Sequence, residues 1–201
     1  MNTSATDRGA VLLSIARNAI AAELGRGGKV RDDGRDLPWL REPGACFVTL
    51  TQRGELRGCI GTLEAQRALL DEVKANARAA AFSDPRFAPL GAAELESTAI
   101  EISLLSVPEP MRFASEADAL AQLRPGIDGV IFQYGNFRST FLPQVWEQLP
   151  DAAAFMAHLK RKCALPADFW ASEVQLQRYT VTKFSEKDPL SESASPGAMQ
   201  R

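Results

Sequence analysis

The 201-residue chain has one histidine, three cysteines and no long apolar run, and each scarcity removes a class of protein. Cys46, Cys59 and Cys163 are odd in number and dispersed, so no disulfide framework is expected. With the lone His158 they show no Cys-x-x-Cys or other zinc-ligand spacing. No apolar stretch approaches the ~20 residues that cross a bilayer. The opening Met1-Asn2-Thr3-Ser4-Ala5-Thr6-Asp7 lacks the basic-then-apolar order of a secretory signal. Charge of one sign is missing too. Lys and Arg number 23 against 25 Asp and Glu, a formal net charge of -2, without the basic footprint of a nucleic-acid binder. Neither a P-loop nor a Gly-x-Gly-x-x-Gly run is present. The expectation is a reduced, cytoplasmic protein with no membrane segment, no nucleic-acid partner, no metal site and no evident cofactor.

What is there is ordinary globular material, 45% hydrophobic and 24% charged. The length suits one compact domain or two packed lobes with a sizeable core. Residues 1–8 read as a flexible N-terminus. Behind a cap at Asp7, the residues Val11, Leu12, Ile15, Ala19 and Ile20 fall at helical spacing, and Gly25, Gly27 and Gly28 end the helix. A polar connector, Lys29 to Arg41, follows. Cys46 to Leu50 and Leu56 to Leu63 form a hairpin about a turn at Gln52-Arg53-Gly54-Glu55. Leu69, Leu70, Val73, Ala77 and Ala80 mark a helix that Pro85 forbids from continuing.

Thr98 to Val107 alternates as a strand, with Ile100 and Ile102 on one face and Glu101 on the other. Glu116 to Leu123 reads as a short helix. A second hairpin turns at Gly135-Asn136. Two helices, Pro143 to Leu149 and Asp151 to Cys163, and a last strand, Val174 to Phe184, complete the domain of residues 9–184. The Ser-, Glu- and Pro-bearing residues 185–201 read as a disordered tail. Hairpins mixed with helices predict an α+β fold with mainly antiparallel sheets packed against helices.

The run with most chemistry is Leu56-Arg57-Gly58-Cys59-Ile60-Gly61. Side chains alternate along a strand, so Arg57 and Cys59 are expected on one face, about 6–7 Å apart. A guanidinium at that range favours thiolate, the reactive form of a cysteine. Gly58 and Gly61 lack Cβ atoms, so something can come close to this backbone.

Leu56 to Gly61 resembles the signature hexapeptide of the AMMECR domain family. Further segments are similar to that family in the same order: Phe82-Ser83-Asp84-Pro85-Arg86-Phe87, Glu101 to Ser106, Gly129-Val130-Ile131, Leu142-Pro143-Gln144-Val145, and Lys162 to Pro166 with Phe169-Trp170. The resemblance spans about Gly9 to Glu186 and departs at Cys163, where a small residue such as alanine is expected. It implies an α+β fold of two unequal subdomains. It also implies component A of the AmmeMemoRadiSam system, whose other members are a Memo-like protein and a radical S-adenosylmethionine protein. No settled reaction comes with it.

Two functional classes stay open. In one, the chain is an accessory or binding protein, with Arg57, Gly58, Gly61 and Arg86 meeting a substrate or partner. In the other it is an enzyme, with Cys59 as nucleophile or ligand and Glu101 as general base or counter-ion, acting on a small acidic or carbonyl substrate. Each residue also has a plainer role: Cys59 as a packed small side chain, Arg57 as half of a salt bridge to Glu101, Glu101 as a solvent-facing carboxylate, Arg86 as a loop brace. His158, followed closely by Lys160-Arg161-Lys162, belongs on a solvated helix face rather than in a dyad with Cys59.

Overall fold

The structure, a computed structural model, describes residues 5–26 and 36–187. Its first helix, α1 (Ala5–Glu23), buries Leu12, Ile15, Ala16, Ala19 and Ile20, the stripe of a helix with one wet face. The predicted stop is explained by its geometry. Gly25 takes a φ of 67°, its N–H donates to Ala22 O at 3.1 Å, and Arg26 N donates to Ala21 O at 2.9 Å. This pair of bonds is the Schellman termination, which suits glycine because it has no Cβ. Gly27, Gly28 and the connector up to Arg35 lie outside the described residues.

β1 (Cys46–Gln52) and β2 (Glu55–Gly61) form the expected hairpin, joined by Arg53 and Gly54. Both loop residues have positive φ, 53° and 77°, as a two-residue turn of matching twist requires. β3 (Ala99–Leu105) pairs antiparallel with β1, and the sheet order is β2-β1-β3-β8, with β8 spanning Val181–Ser185. α2 (Leu69–Phe82) lies against β1 and β2. Its Leu69, Val73, Ala77, Ala80 and Ala81 share a core with Val48 and Leu50 of β1, Ile100 and Ile102 of β3, and the buried stripe of α1.

A second sheet has the order β4-β7-β5-β6, formed by β4 (Glu109–Pro110), β5 (Gly129–Tyr134), β6 (Phe137–Phe141) and β7 (Gln175–Tyr179). It packs with α4 (Ala152–Lys162) around Val130, Phe132, Phe155, Met156, Leu159 and Leu176, where the Trp146 and Phe155 rings stack 3.8 Å apart. Two helices here begin with side-chain caps: Ser115 accepts from Asp118 N in α3 (Glu116–Gln122), and Asp151 accepts from Ala154 N in α4. Of the expected helix from Pro143 to Leu149, Pro143–Glu147 forms a short 3-10 turn.

The chain divides into two compact units of unequal size. One runs to Leu104 and resumes at Lys183; the other is Leu105–Thr182. Among the described residues, four helices and two antiparallel four-stranded sheets give the α+β fold that the hairpin-helix order implied.

Two expectations need correction, at the last strand and at the domain boundary. The single last strand is two, β7 and β8, in different sheets. The break is at Thr180, whose N–H and C=O both leave the ladder to bond Ser106 Oγ at 3.0 Å and Ser106 N at 2.9 Å. Lys160 is not solvated. It is 1% exposed, held by Glu116 Oε1 at 2.7 Å and Phe169 O at 2.9 Å, while His158, Arg161 and Lys162 around it are exposed. Ordered structure also continues past the boundary at residue 184. Ser185 closes β8, and Glu186 accepts from Arg17 and from Ile100 N at 3.0 Å. Residues 188–201 lie outside the described set. No described helix is long and apolar enough to cross a membrane.

Candidate functional site

The hexapeptide forms β2, an edge strand of the first sheet. A bulge interrupts its pairing with β1: Thr51 faces Leu56 but Leu50 faces Gly58, so Arg57 is the extra residue. Past the bulge the strand alternates regularly. Gly58 turns toward α2, and Cys59 toward the opposite, half-buried face.

The glycines explain themselves there. A Cβ on Gly58 would stand 2.2 Å from the carbonyl oxygen of Ala80, so α2 could not lie this close to β2. A Cβ on Gly61 would stand 2.3 Å from the Phe47 ring, which lies over it from the neighbouring strand. What approaches this backbone is the protein's own α2 and Phe47.

Arg57 is committed to a residue that sequence reasoning missed. Its Nε donates to Glu94 Oε1 at 3.0 Å and its Nη2 to Glu94 Oε2 at 3.3 Å, a bidentate pair. Glu94 also accepts from Gly91 N at 2.7 Å and Gln52 Nε2 at 3.3 Å. The Arg57 guanidinium foremost, then the Gly91 amide, hold its carboxyl below the ordinary range. The salt bridge considered for Arg57 therefore exists, with Glu94 as partner in place of Glu101. Arg57 is 14% exposed, and its Nη1 is buried without a hydrogen-bond partner.

Cys59 has different neighbours. Its Sγ accepts from Thr49 Oγ1 at 3.3 Å, across the β1–β2 pairing. Its N–H donates to Asp84 Oδ2 at 2.9 Å, and its carbonyl accepts from Arg86 Nη2 at 3.2 Å. Asp84 and Arg86 form a bidentate pair of their own, at 3.0 and 2.7 Å. The Asp84 side chain is 2% exposed, and its carboxyl is held well below the carboxylate range, first by Arg86 and then by the Cys59 amide. Asp84 in turn is the main cause that raises Arg86, and the Cys59 sulfur adds to it. The arginine that the structure sets beside the cysteine is thus Arg86.

Glu101 lies in the same cross-strand row. Thr49 faces Cys59 on one side and Glu101 on the other, which puts Cys59 and Glu101 two strands apart, about 10 Å. Glu101 accepts from Ser185 Oγ at 2.9 Å and pairs with Lys183 Nζ at 3.4 Å. His158 is an exposed residue of α4. Cys46 is closed off in the core, and burial pushes its thiol up to about 12. Among the described residues, no three His, Cys, Asp or Glu side chains gather as a metal site requires.

The structure therefore brings together Cys59 and Arg86, and ties Arg57 and Glu101 elsewhere. It adds Thr49, Asp84 and Glu94. Asp84 was legible in principle, because it stands two residues before Arg86 in a loop closed by proline. Glu94 carried no sequence signal.

Comparison with known proteins gives the chain a family. A protein of Methanothermobacter thermautotrophicus is 39% identical over 183 residues, 90% of this chain and 95% of its own length. A protein of Methanosarcina acetivorans is 36% identical over 189 residues, 92% of this chain and 94% of its own. The crystal structure of the uncharacterized protein PH0010 from Pyrococcus horikoshii superposes with a TM-score of 0.74 at 29% identity, covering 94% of this chain and 96% of that one. The AMMECR1 family model matches residues 13–184, which include Thr49, Cys59, Asp84 and Arg86, and the chain belongs to the AMMECR1 family.

Proposed function

We propose that this chain is an accessory binding protein that works with a Memo-like protein and a radical S-adenosylmethionine protein, and that its partner reads the half-exposed surface at Thr49, Cys59 and Arg86. The observation that carries this reading is the state of the charged groups. Arg57 is spent on Glu94, Glu101 on Ser185 and Lys183, and Asp84 on Arg86 and the Cys59 amide. A cysteine nucleophile needs an adjacent base that can take its proton. The side chain that contacts Sγ is the Thr49 hydroxyl, which is no base at neutral pH. A partner can supply what this site lacks.

The test is co-purification with the Memo-like protein, wild type against Thr49→Arg, with circular dichroism to confirm folding. The substitution sets a large cation in the middle of the proposed contact, and binding is expected to weaken tenfold or more. Unchanged binding by a folded variant moves the contact elsewhere. No binding by the wild type removes this reading.

One observation favours a second reading. Thr49 donates to the sulfur and Arg86 to the carbonyl of the same residue, so a donor and a cation stand beside the thiol. In that case Cys59 attacks or ligates a small acidic or carbonyl substrate, with Arg86 in the role first considered for Arg57. Turnover of such a substrate that is lost in Cys59→Ser would establish it.

A further inference from the structure

β2 has an open side. Among the described residues it stands at the end of the sheet order, paired with β1 alone. Thr62 N donates to Cys46 O at 3.1 Å, which fixes the parity of the ladder. Even-numbered residues past the bulge turn their backbone groups toward β1, and Cys59 and Gly61 turn theirs away. A seven-residue strand with outward N–H and C=O groups, carrying Leu56 at 43% exposure, is a template for another strand.

The groups that fill this edge are Asp84 and Arg86. Asp84 accepts the outward N–H of Cys59, and Arg86 donates to the outward carbonyl of the same residue. One acceptor and one donor at a single residue are what the backbone of a neighbouring antiparallel strand would offer. The two side chains also bond each other, so the imitation is preassembled. The opposite edge strand, β8, carries the exposed Lys183, a common protection of sheet edges. We infer that the Asp84–Arg86 pair is a guard that keeps β2 from pairing, and that without it the edge takes up the β2 strand of a second copy of this chain. A second copy is the fitting occupant because two identical edges pair antiparallel about a two-fold axis, each meeting the same surface on the other.

The experiment compares wild type, Asp84→Ala and Asp84→Ala/Cys59→Pro by sedimentation velocity over a hundredfold range of concentration, with circular dichroism alongside. Asp84→Ala is expected to show a species of twice the wild-type mass that grows with concentration. Proline at 59 removes the outward N–H at the centre of the edge without touching the bonds to β1, and should restore the wild-type mass. Hydrogen exchange supplies an independent readout. The Cys59 amide should exchange at least tenfold faster in dilute Asp84→Ala than in wild type, and slow again as concentration rises. If Asp84→Ala does not fold, Arg86→Ala replaces it, since it opens only the carbonyl side. A folded variant that keeps the wild-type mass overturns the inference. So does association that proline at 59 leaves intact, or a wild type already paired through β2.

Discussion

Gly58→Ala separates a structural from a ligand-driven reason for the hexapeptide. The added Cβ would stand 2.2 Å from Ala80 O, and that atom belongs to the backbone of α2, so no side-chain rotation relieves the overlap. An ordinary carbon–oxygen contact is more than 1 Å longer. The helix must therefore lift from the sheet by about that much, loosening Val73, Ala77 and Ala80 against Val48 and Leu50. Overpacking of this kind costs about 1–3 kcal/mol. Restricting the unfolded chain returns about 0.4–1 kcal/mol. The expected net loss is about 1–2 kcal/mol, a fall in the urea midpoint of about 0.5–1 M for a typical slope near 2 kcal/mol per M. Equilibrium urea unfolding followed by tryptophan fluorescence and circular dichroism measures it. A variant as stable as wild type, with partner binding lost, would refute the packing argument and return Gly58 to an external partner.

Other outcomes follow from the same structure. Iodoacetamide at neutral pH should label Cys59 well before Cys46, which reacts only on unfolding because it is buried and its thiol is pushed up to about 12; peptide mass spectrometry reads the order. Stability should also fall above about pH 9, since the Cys46 thiol ionises in the unfolded chain but not in the folded one, and Cys46→Ala should flatten that decline in melts against pH. At the acid end Asp84 and Glu94 are held below their ordinary range, Asp84 by Arg86 and Glu94 by Arg57. Their contribution is present above the unfolded carboxylate range near pH 4 and is lost as pH falls through it, so the melting temperature should drop below about pH 4 and drop less in Asp84→Asn. Glu116→Ala leaves the Lys160 ammonium buried with the Phe169 carbonyl as its remaining acceptor and should cost about 3–5 kcal/mol, whereas Lys160→Met should be nearly neutral, as chemical unfolding of both would show.

The parts of the fold that the sequence made legible are those with local causes. The stop of α1 at Gly25, the Arg53-Gly54 turn and the helix before Pro85 each depend on residues within a few positions. The break at Thr180 was not legible, because it is made by Ser106, 74 residues away. The same division runs through the site. Alternation set Arg57 and Cys59 on one face, but the bulge at Arg57 and the reach of Glu94 decided where the guanidinium went. Lys160 sits in a basic run, and only the packing of Glu116 and Phe169 around it shows that it is buried.

The second unit is inserted between β3 and β8 of the first, and this has a consequence for synthesis. A chain leaving the ribosome N-terminus first has made α1, α2 and three strands of its first sheet by Leu104. The fourth strand and Glu186, which closes on Arg17 across 169 positions, come only after the second unit has been made. At about 5–20 residues per second, the first sheet waits several seconds with one side of β3 unfilled, while the second unit has all of its strands as soon as Tyr179 emerges. A nascent chain stalled near Thr182 should thus hold a folded second unit and an incomplete first one. The last few residues of β8, rather than the hexapeptide, time the completion of the first sheet.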